Sequence, residues 1–592
     1  MSTGTAAGTG TDTAPHAPSG RAAGSTRVRR RRASTGRNIV AGGLSAGLAA
    51  ALPLVVLIGS LAGAGWAPTG DEAVIAWRSW DVLVGPSPLL GQFTQASAAS
   101  SVPVFDPGPL LYWVLSVPMH LFPAAGAMVG SLAWSAVCLG VACVAAGRAG
   151  GARAAWGVAA GFLLLEWSLS AVAGEAPAWN PYAGLLPFAA LLVIAVVVAT
   201  GRLGWLPAAV LLASFLAQTH LMYAPAAAGC LVLGAAAGFI AAHRSTQDAA
   251  ARSWGLPSVL STVLVTAACW WPAVYQQATG RPGNITELLH AVLGGSGPTV
   301  GWRLALGSLG ETLGPLPAWA RPPVGFVPPR AAPATAAWVA AVVVLLAVAG
   351  VGVLAARHRR PGLAAAAGIA VASALGACWA LAGLSVQTAN SYAYIRYVQW
   401  PVALLLEAVL VWAVVVVVHR RKTADATARI PLRRPIGTGL TALTALTATA
   451  AVLLAVGAAV TGPHRAALAA AQPRGAAIDL ARTVSALAGP PPRKNARLTV
   501  GVAEPGGLTT VALVTATGYR LRTMGWTPTL LPPWSQVFDR RYAARPSDPV
   551  LGVGPVPPGA RLLGSVDVPV HGTGTAVTVT RPAPVWLLAG RP

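Results

Sequence analysis

Long apolar runs, repeated along most of the chain, restrict its fold more than any other feature. Each holds roughly 20 residues, enough for a helix to cross about 30 Å of hydrocarbon. Of the 592 residues, 55% are hydrophobic and only 10% are charged, whereas a soluble domain averages about 25% charged residues. The runs therefore predict an all-α polytopic membrane protein with about eleven transmembrane helices over residues 39–460.

Basic residues at the ends of these runs predict the topology, because cytoplasmic loops are rich in Lys and Arg. Residues 1–38 are polar and end in a basic run, which predicts a disordered cytoplasmic tail. Each predicted return to the cytoplasm ends in basic residues, at Arg148, Arg153, Arg202, Arg244, Arg357–Arg360 and His419–Lys422. Counting the crossings puts the C-terminal segment outside the cytoplasmic membrane.

The net charge of +24 is explained by this topology, so nucleic acid is not an expected partner. The five cysteines all fall inside apolar runs without metal-ligand spacing. They are predicted to be packing residues, and no disulfide framework is expected.

Three segments are predicted to lie outside: residues 66–107, residues 276–333 and the C-terminal domain 461–592. Within the first, Ala73–Trp80 is predicted to form an amphipathic interfacial helix. The C-terminal domain shows alternating apolar and polar residues in 497–502 and 573–581. This period-2 pattern predicts a small β-rich or α/β domain.

The acidic pair Asp71-Glu72 comes soon after the first apolar run and is the best candidate for chemistry. A carboxylate there can act as general base on a hydroxyl that attacks a lipid-linked sugar, or the pair can simply be solvated. Arg396 can bind the lipid phosphate or extend to the interface as an ordinary snorkelling arginine. Two roles remain open for His220: it can bind a ligand, or it can be a polar residue whose hydrogen bonds are satisfied within the protein.

The positions of five other acidic residues, in loops or within apolar runs, predict their surroundings. Asp81, Glu287 and Glu311 are predicted to be solvated loop charges. Glu166 and Glu407 lie within apolar runs and are predicted to face the interior of the helix bundle, since lipid exposure would be costly.

Three loop motifs resemble those of the GT-C superfamily of glycosyltransferases that use polyprenyl-phosphate sugars. The relatives in view are protein O-mannosyltransferases, lipid A aminoarabinose transferases and actinobacterial arabinofuranosyltransferases. The motifs are Gly70-Asp71-Glu72-Ala73, the stretch Asp106-Pro-Gly-Pro-Leu-Leu-Tyr112-Trp113, and Glu175 with Asn180-Pro181-Tyr182.

The resemblance implies a set of functional residues. Asp71 would be the catalytic base, and Glu72 would support it or bind metal. Substrate binding would involve Asp106, Tyr112, Glu175, Asn180, His220 and Arg396. Some relatives have an aspartate where Asn180 stands, which leaves the need for a divalent cation open. The implied activity is transfer of a sugar from a polyprenyl-phosphate donor to a cell-wall glycan, lipid or protein acceptor outside the cell membrane.

Two alternative functions are also compatible with the sequence. A transporter or flippase of a lipid-linked sugar would use polar residues at the middle of the membrane. A non-catalytic membrane scaffold would act through its external domain alone.

Overall fold

The computed structural model describes residues 21–100, 102–244, 255–294, 298–314, 336–391, 393–427, 457, 473–502, 507–532, 534–538, 542–571 and 578–589. The eleventh predicted membrane helix, at about residues 437–460, lies almost wholly outside these ranges. The first helix begins at Arg21, so it includes the second half of the segment predicted to be disordered.

Nineteen α-helices are described within those ranges: α1 (Arg21–Gly63), α2 (Asp71–Val84), α3 (Leu110–Leu121), α4 (Gly126–Gly150), α5 (Ala152–Glu175), α6 (Asn180–Ala183), α7 (Leu185–Ala199), α8 (Leu206–Thr219), α9 (Ala224–Arg244), α10 (Leu256–Thr279), α11 (Asn284–Leu293), α12 (Gly301–Leu313), α13 (Ala337–Arg357), α14 (Pro361–Ala382), α15 (Val386–Ser391), α16 (Gln399–Thr427), α17 (Pro473–Ala488), α18 (Gly507–Thr523) and α19 (Trp534–Val537).

The polytopic helical fold is confirmed. In the described part of the chain, eight stretches are long and apolar enough to cross a membrane: Ile39–Gly63, Gly126–Gly150, Asn180–Ala199, Leu221–Arg244, Leu256–Thr279, Ala337–Arg357, Pro361–Ala382 and Tyr394–Val418. Two predicted spans differ from these. Helix α5 is long but contains Arg153 and Glu166, and α8 has only 14 residues.

Helix α7 lies at the centre of the bundle, since 89% of the span that includes it is buried, and it packs on α4, α8, α9 and α14. Helix α1 packs on α4 and α5 at the side of the bundle. Small residues allow this close approach. A Cβ added at Gly47 would lie 3.0 Å from the Cα of Gly140, as expected where helices in lipid associate through glycines.

The two ends of the bundle differ in their chemistry. At one end, Arg202 donates to the carbonyl of Ala149 at 3.3 Å, and the Arg148 guanidinium lies 5.7 Å from the Trp205 ring centroid. We call this the basic end. At the other end, the chain leaves α5 for α6, and the Asn180 amide donates to the carbonyl of Thr219, where α8 ends. We call this the site end.

The C-terminal segment forms an α/β domain, as predicted. Its sheet has the strand order β2-β1-β3-β5-β4. The strands are β1 (Arg497–Val502), β2 (Thr527–Leu530), β3 (Val550–Val553), β4 (Arg561–His571) and β5 (Thr578–Leu588). Strand β1 is parallel to β2 and β3, while β5 is antiparallel to β3 and β4. Helices α17 and α18 pack against each other beside the sheet.

Helix α2 contains the helix predicted at Ala73–Trp80, and most of its residues are buried in protein. It begins at Asp71, two residues before Ala73. Nine of its residues are buried, among them Glu72, Arg78 and Asp81. It lies between α3 on one side and α18 of the C-terminal domain on the other. The polar face that was expected to meet water instead meets protein.

Candidate functional site

Gly70 determines where α2 begins. Its φ of 57° lies in the left-handed region, where residues with a Cβ are strained. The carbonyls of Thr69 and Gly70 accept the first amide hydrogen bonds of the helix. Asp71 and Glu72 therefore occupy the first turn, where the helix dipole favours negative charge.

The two carboxylates of the acidic pair point to different surroundings. Asp71 is solvent-accessible, whereas Glu72 is only 3% exposed. The indole Nε1 of Trp179 donates to Asp71 Oδ2 at 2.8 Å. The backbone N–H of Ala178 donates to Glu72 Oε1 at 3.0 Å. The pair thus binds the Ala178–Trp179 segment at two adjacent points, and only Asp71 is open to a ligand.

The protein around Asp71 changes its acidity. Burial of the surroundings raises the pKa of the Asp71 carboxyl above its ordinary value, and the hydrogen bond from Trp179 opposes that shift. An acid with a raised pKa is a stronger proton acceptor when ionised, which suits a general base.

A ring cluster surrounds this point. The Trp179 ring lies 4.5 Å from Tyr394 and 5.1 Å from Tyr182, and the Tyr394 ring lies 5.8 Å from His220. These residues come from the loop before α6, from the Ala393–Val398 turn and from the end of α8. The cluster therefore brings three loops of the site end together beside Asp71.

His220 is uncharged at neutral pH. Burial lowers its pKa to about 4, and its Nδ1 accepts a hydrogen bond from the amide of Met222 at 3.2 Å. The ring thus contributes shape and one satisfied polar atom, and it does not supply positive charge.

Arg396 is on the same turn as Tyr394 and is half-buried. Among the described residues, no hydrogen bond, ion pair or ring contact of its guanidinium is seen. A half-buried cation of this kind, two residues from the ring cluster, is available to an anionic ligand.

Asp106 and Asn180 are buried in the same part of the site end. Asp106 is 1% exposed, and neither carboxylate oxygen accepts a hydrogen bond with good geometry from the described residues. Burial raises the pKa of Asp106 well above its ordinary value, while the nearby amide of Leu221 and side chain of Asn180 act in the opposite direction.

Tyr112 is a structural residue in this arrangement. Its hydroxyl donates to Gln92 Oε1 at 2.9 Å and accepts from Arg78 Nη1 at 3.1 Å. The Arg78 guanidinium also lies 4.7 Å from the Tyr112 ring centroid. The Tyr112 side chain is only 1% exposed, so it supports the site through its contacts with Arg78 and Gln92.

Glu175 is the last residue of α5, and its side chain lies outside the described atoms. In the part of the chain that is described, no three His, Cys, Asp or Glu residues are close enough together to hold a metal ion. Glu166, predicted to face the bundle interior, is 6% exposed and lines a cavity of about 40 Å³ with Ser135 and Tyr182.

A larger cleft opens beside the site. It has a volume of about 800 Å³ and separates the 89–105 segment, the residues after α10 and the C-terminal domain. Its walls include Phe93, Phe105, Arg281 and Phe538. We call it the loop–domain cleft. Arg78 is also in its wall, seven residues from Asp71 and so about 10 Å along the helix axis.

Two functional contacts were missed in the sequence. Trp179 directly precedes the Asn180-Pro181-Tyr182 motif, and its hydrogen bond to Asp71 is what distinguishes it. Asp81 was predicted to be solvated, which is wrong: it is 3% exposed and accepts hydrogen bonds from Arg522 and Tyr542. Those partners lie more than 400 residues away in sequence, so no local signal could identify them.

Comparison with known proteins gives structural neighbours only. No family profile and no curated protein matches the sequence. Two solved structures are similar: ArnT from Cupriavidus metallidurans bound to undecaprenyl phosphate, and the same protein in the apo state. Each is 14% identical to this chain over 92% of its length, with TM-scores of 0.44 and 0.45. The alignments cover 99% and 98% of the ArnT chains.

Proposed function

We propose that this multi-pass membrane protein is a GT-C-type glycosyltransferase that moves a sugar from a polyprenyl-phosphate donor to an acceptor outside the cytoplasm. One observation carries the proposal: Asp71 is an accessible carboxylate of raised pKa, held by Trp179 within the same loop cluster as the available cation Arg396.

The orientation follows from the charge distribution. The basic end of the bundle carries Arg148 and Arg202, and basic loops remain in the cytoplasm. The site end would then face outward, together with the C-terminal domain that contacts α2. A lipid donor whose phosphate lies at the outer surface would reach Arg396 without leaving the membrane.

The reaction needs one base and one cationic contact. The acceptor hydroxyl attacks the anomeric carbon of the donor, and its proton passes to the Asp71 carboxylate. The bond from that carbon to the phosphate oxygen breaks, releasing polyprenyl phosphate. Phosphate is already a good leaving group, so no protein acid has to protonate it. Arg396 would stabilise the charge of the leaving phosphate, and Glu72 would hold the Ala178–Trp179 segment in place.

The acceptor would enter through the loop–domain cleft. Its volume of about 800 Å³ lies within the usual range for small-molecule sites, about 300–1,000 Å³. Phenylalanine rings and an exposed arginine in its walls suit a polyhydroxylated chain that stacks and forms hydrogen bonds. The central experiment assays the purified protein in nanodiscs with a panel of polyprenyl-phosphate hexoses and pentoses, measuring release of polyprenyl phosphate.

Replacing Arg396 with Gln should weaken the binding of undecaprenyl phosphate. A charge-assisted hydrogen bond is worth about 1.5–3 kcal/mol, so we expect the dissociation constant to rise about 10- to 100-fold. Ligand-dependent thermal stabilisation in nanodiscs measures this. Arg202→Gln, a half-buried arginine at the basic end, is the matched control and should bind normally. If the Arg396 variant and the wild type bind undecaprenyl phosphate with equal affinity, Arg396 does not contact the donor phosphate.

Replacing Trp179 with Phe should shift the pH dependence of transfer. The general base works ionised, so activity falls as the pH drops through the raised pKa of Asp71. Losing the indole hydrogen bond removes the contact that lowers that pKa, so the acid limb should move to higher pH. Trp205→Phe, at the basic end, should leave the kcat/KM profile in place. A shift toward lower pH would contradict the assigned role.

A further inference from the structure

Helix α2 is attached to the C-terminal domain through a buried ion pair. Arg522 Nε donates to Asp81 Oδ1 at 2.6 Å, and the Tyr542 hydroxyl donates to Asp81 Oδ2 at 2.7 Å. The side chains of Asp81 and Arg522 are only 4% and 10% exposed. Both oxygens of the carboxylate are therefore committed to the C-terminal domain.

An aromatic contact strengthens the same attachment. Trp77 is fully buried, and its ring lies 4.8 Å from Phe538 and 5.2 Å from Tyr542. Helix α18 approaches from the other side at Gly518, where an added Cβ would lie 2.5 Å from the Trp77 ring. The position therefore requires glycine, and the indole is held between α18 and the residues that follow β2.

This attachment lies on the helix that begins with Asp71. Ten residues separate Asp71 from Asp81, which is about 15 Å along a continuous helix. At its start, the acidic pair of α2 contacts the Ala178–Trp179 segment. A tilt or rotation of α2 at Asp81 would move the Asp71 carboxylate relative to the ring cluster and Arg396.

We propose that the C-terminal domain is a positioning element for the catalytic carboxylate, and that Asp81, Arg522 and Trp77 are positioning residues that act through α2. The inference rests on the proposed function of Asp71. Because a displacement of about 1 Å can cost about 100-fold in rate, a domain that contacts no reacting atom can still control turnover.

The test compares two ion pairs of the C-terminal domain. Arg522→Gln breaks the pair with Asp81 on α2. The matched control, Arg497→Gln, breaks the pair of Arg497 with Asp548, at 2.8 and 2.9 Å, which stays within the domain. Arg522→Lys keeps the charge and should restore part of the function.

For Arg522→Gln we expect kcat to fall about 10- to 100-fold, with the donor KM within about two-fold of wild type. Hydrogen exchange of the amides in residues 71–84 should increase. Arg497→Gln should lower the unfolding temperature while leaving kcat per folded molecule and exchange in 71–84 unchanged. Tyr542→Phe, which removes a single hydrogen bond to Asp81, provides a milder variant with a smaller change in the same direction.

Two results would overturn the proposal. One is unchanged kcat and unchanged exchange in 71–84 for both Arg522→Gln and Tyr542→Phe. The other is an equal loss of kcat in Arg497→Gln, which would mean that only the stability of the domain matters. If the wild-type protein transfers no sugar from any polyprenyl-phosphate donor, the proposed function fails instead. The exchange measurement then still decides whether the domain positions α2.

Discussion

Replacing Asp71 with Asn is expected to lower kcat about 1,000-fold, within the range of about 10²–10⁴ that a general base contributes. The asparagine keeps an oxygen that can accept the Trp179 hydrogen bond, so the loop contact and the fold should persist. The amide cannot take the proton from the acceptor hydroxyl, so only the chemical step is lost. Single-turnover release of polyprenyl phosphate measures the effect.

The control for this substitution is Asp479→Asn, because that acid is exposed and, within the described residues, forms its ion pair with Arg482 on its own helix. It should retain full activity. Undecaprenyl phosphate should bind Asp71→Asn with wild-type affinity, since the donor contact assigned to Arg396 is intact. Activity within about three-fold of wild type would exclude Asp71 as the general base, because a general base contributes at least about 100-fold.

Replacing Arg78 with Leu is expected to have the largest effect on stability. The guanidinium is 1% exposed and donates to the carbonyls of Gly91 and Leu90, at 2.5 and 3.0 Å, and to the Tyr112 hydroxyl. Leucine would leave two buried acceptors and one partly buried acceptor without these donors. At about 1–3 kcal/mol for each buried group left unsatisfied, we expect a loss of about 3–5 kcal/mol. Thermal unfolding in nanodiscs measures it.

Arg281→Leu is the matched control, because Arg281 lines the same cleft but is exposed. It should change the free energy of unfolding by less than about 0.5 kcal/mol, as most surface substitutions do. Arg78→Lys keeps a cation but cannot reach all three acceptors, so its loss should be intermediate. An unfolding temperature of Arg78→Leu equal to that of wild type would show that the 89–91 segment does not depend on this side chain.

The membrane part of the fold could be predicted because its signal is local. Each span is a continuous apolar run. The sequence predicts helices at about 125–147, 183–200 and 256–275, within a few residues of the observed spans Gly126–Gly150, Asn180–Ala199 and Leu256–Thr279. Eight full spans are described against about eleven predicted; α8 is short, α5 carries Arg153 and Glu166, and the eleventh predicted helix lies almost wholly outside the described residues. Apolar composition alone does not distinguish a helix packed among others from one that crosses lipid.

The sequence-based account of the site was less complete because the site is made by contacts distant in sequence. The acidic pair could be found by its place after the first run. The bond from Trp179 to Asp71 joins residues more than 100 positions apart, and the pair Asp81–Arg522 joins residues more than 400 apart. A periodic pattern shows that α2 has a polar face. It does not show whether water or another domain covers that face, so the burial of α2 against the C-terminal domain could not be predicted.

The most direct test is an electron cryomicroscopy structure of the Asp71→Asn protein in nanodiscs with the polyprenyl-phosphate sugar that the wild type uses best. The account predicts that the donor phosphate lies against Arg396, with the anomeric carbon facing the residue 71 side chain across a space that one hydroxyl fills. Phosphate density at the basic end of the bundle, beside Arg148 and Arg202, would contradict it.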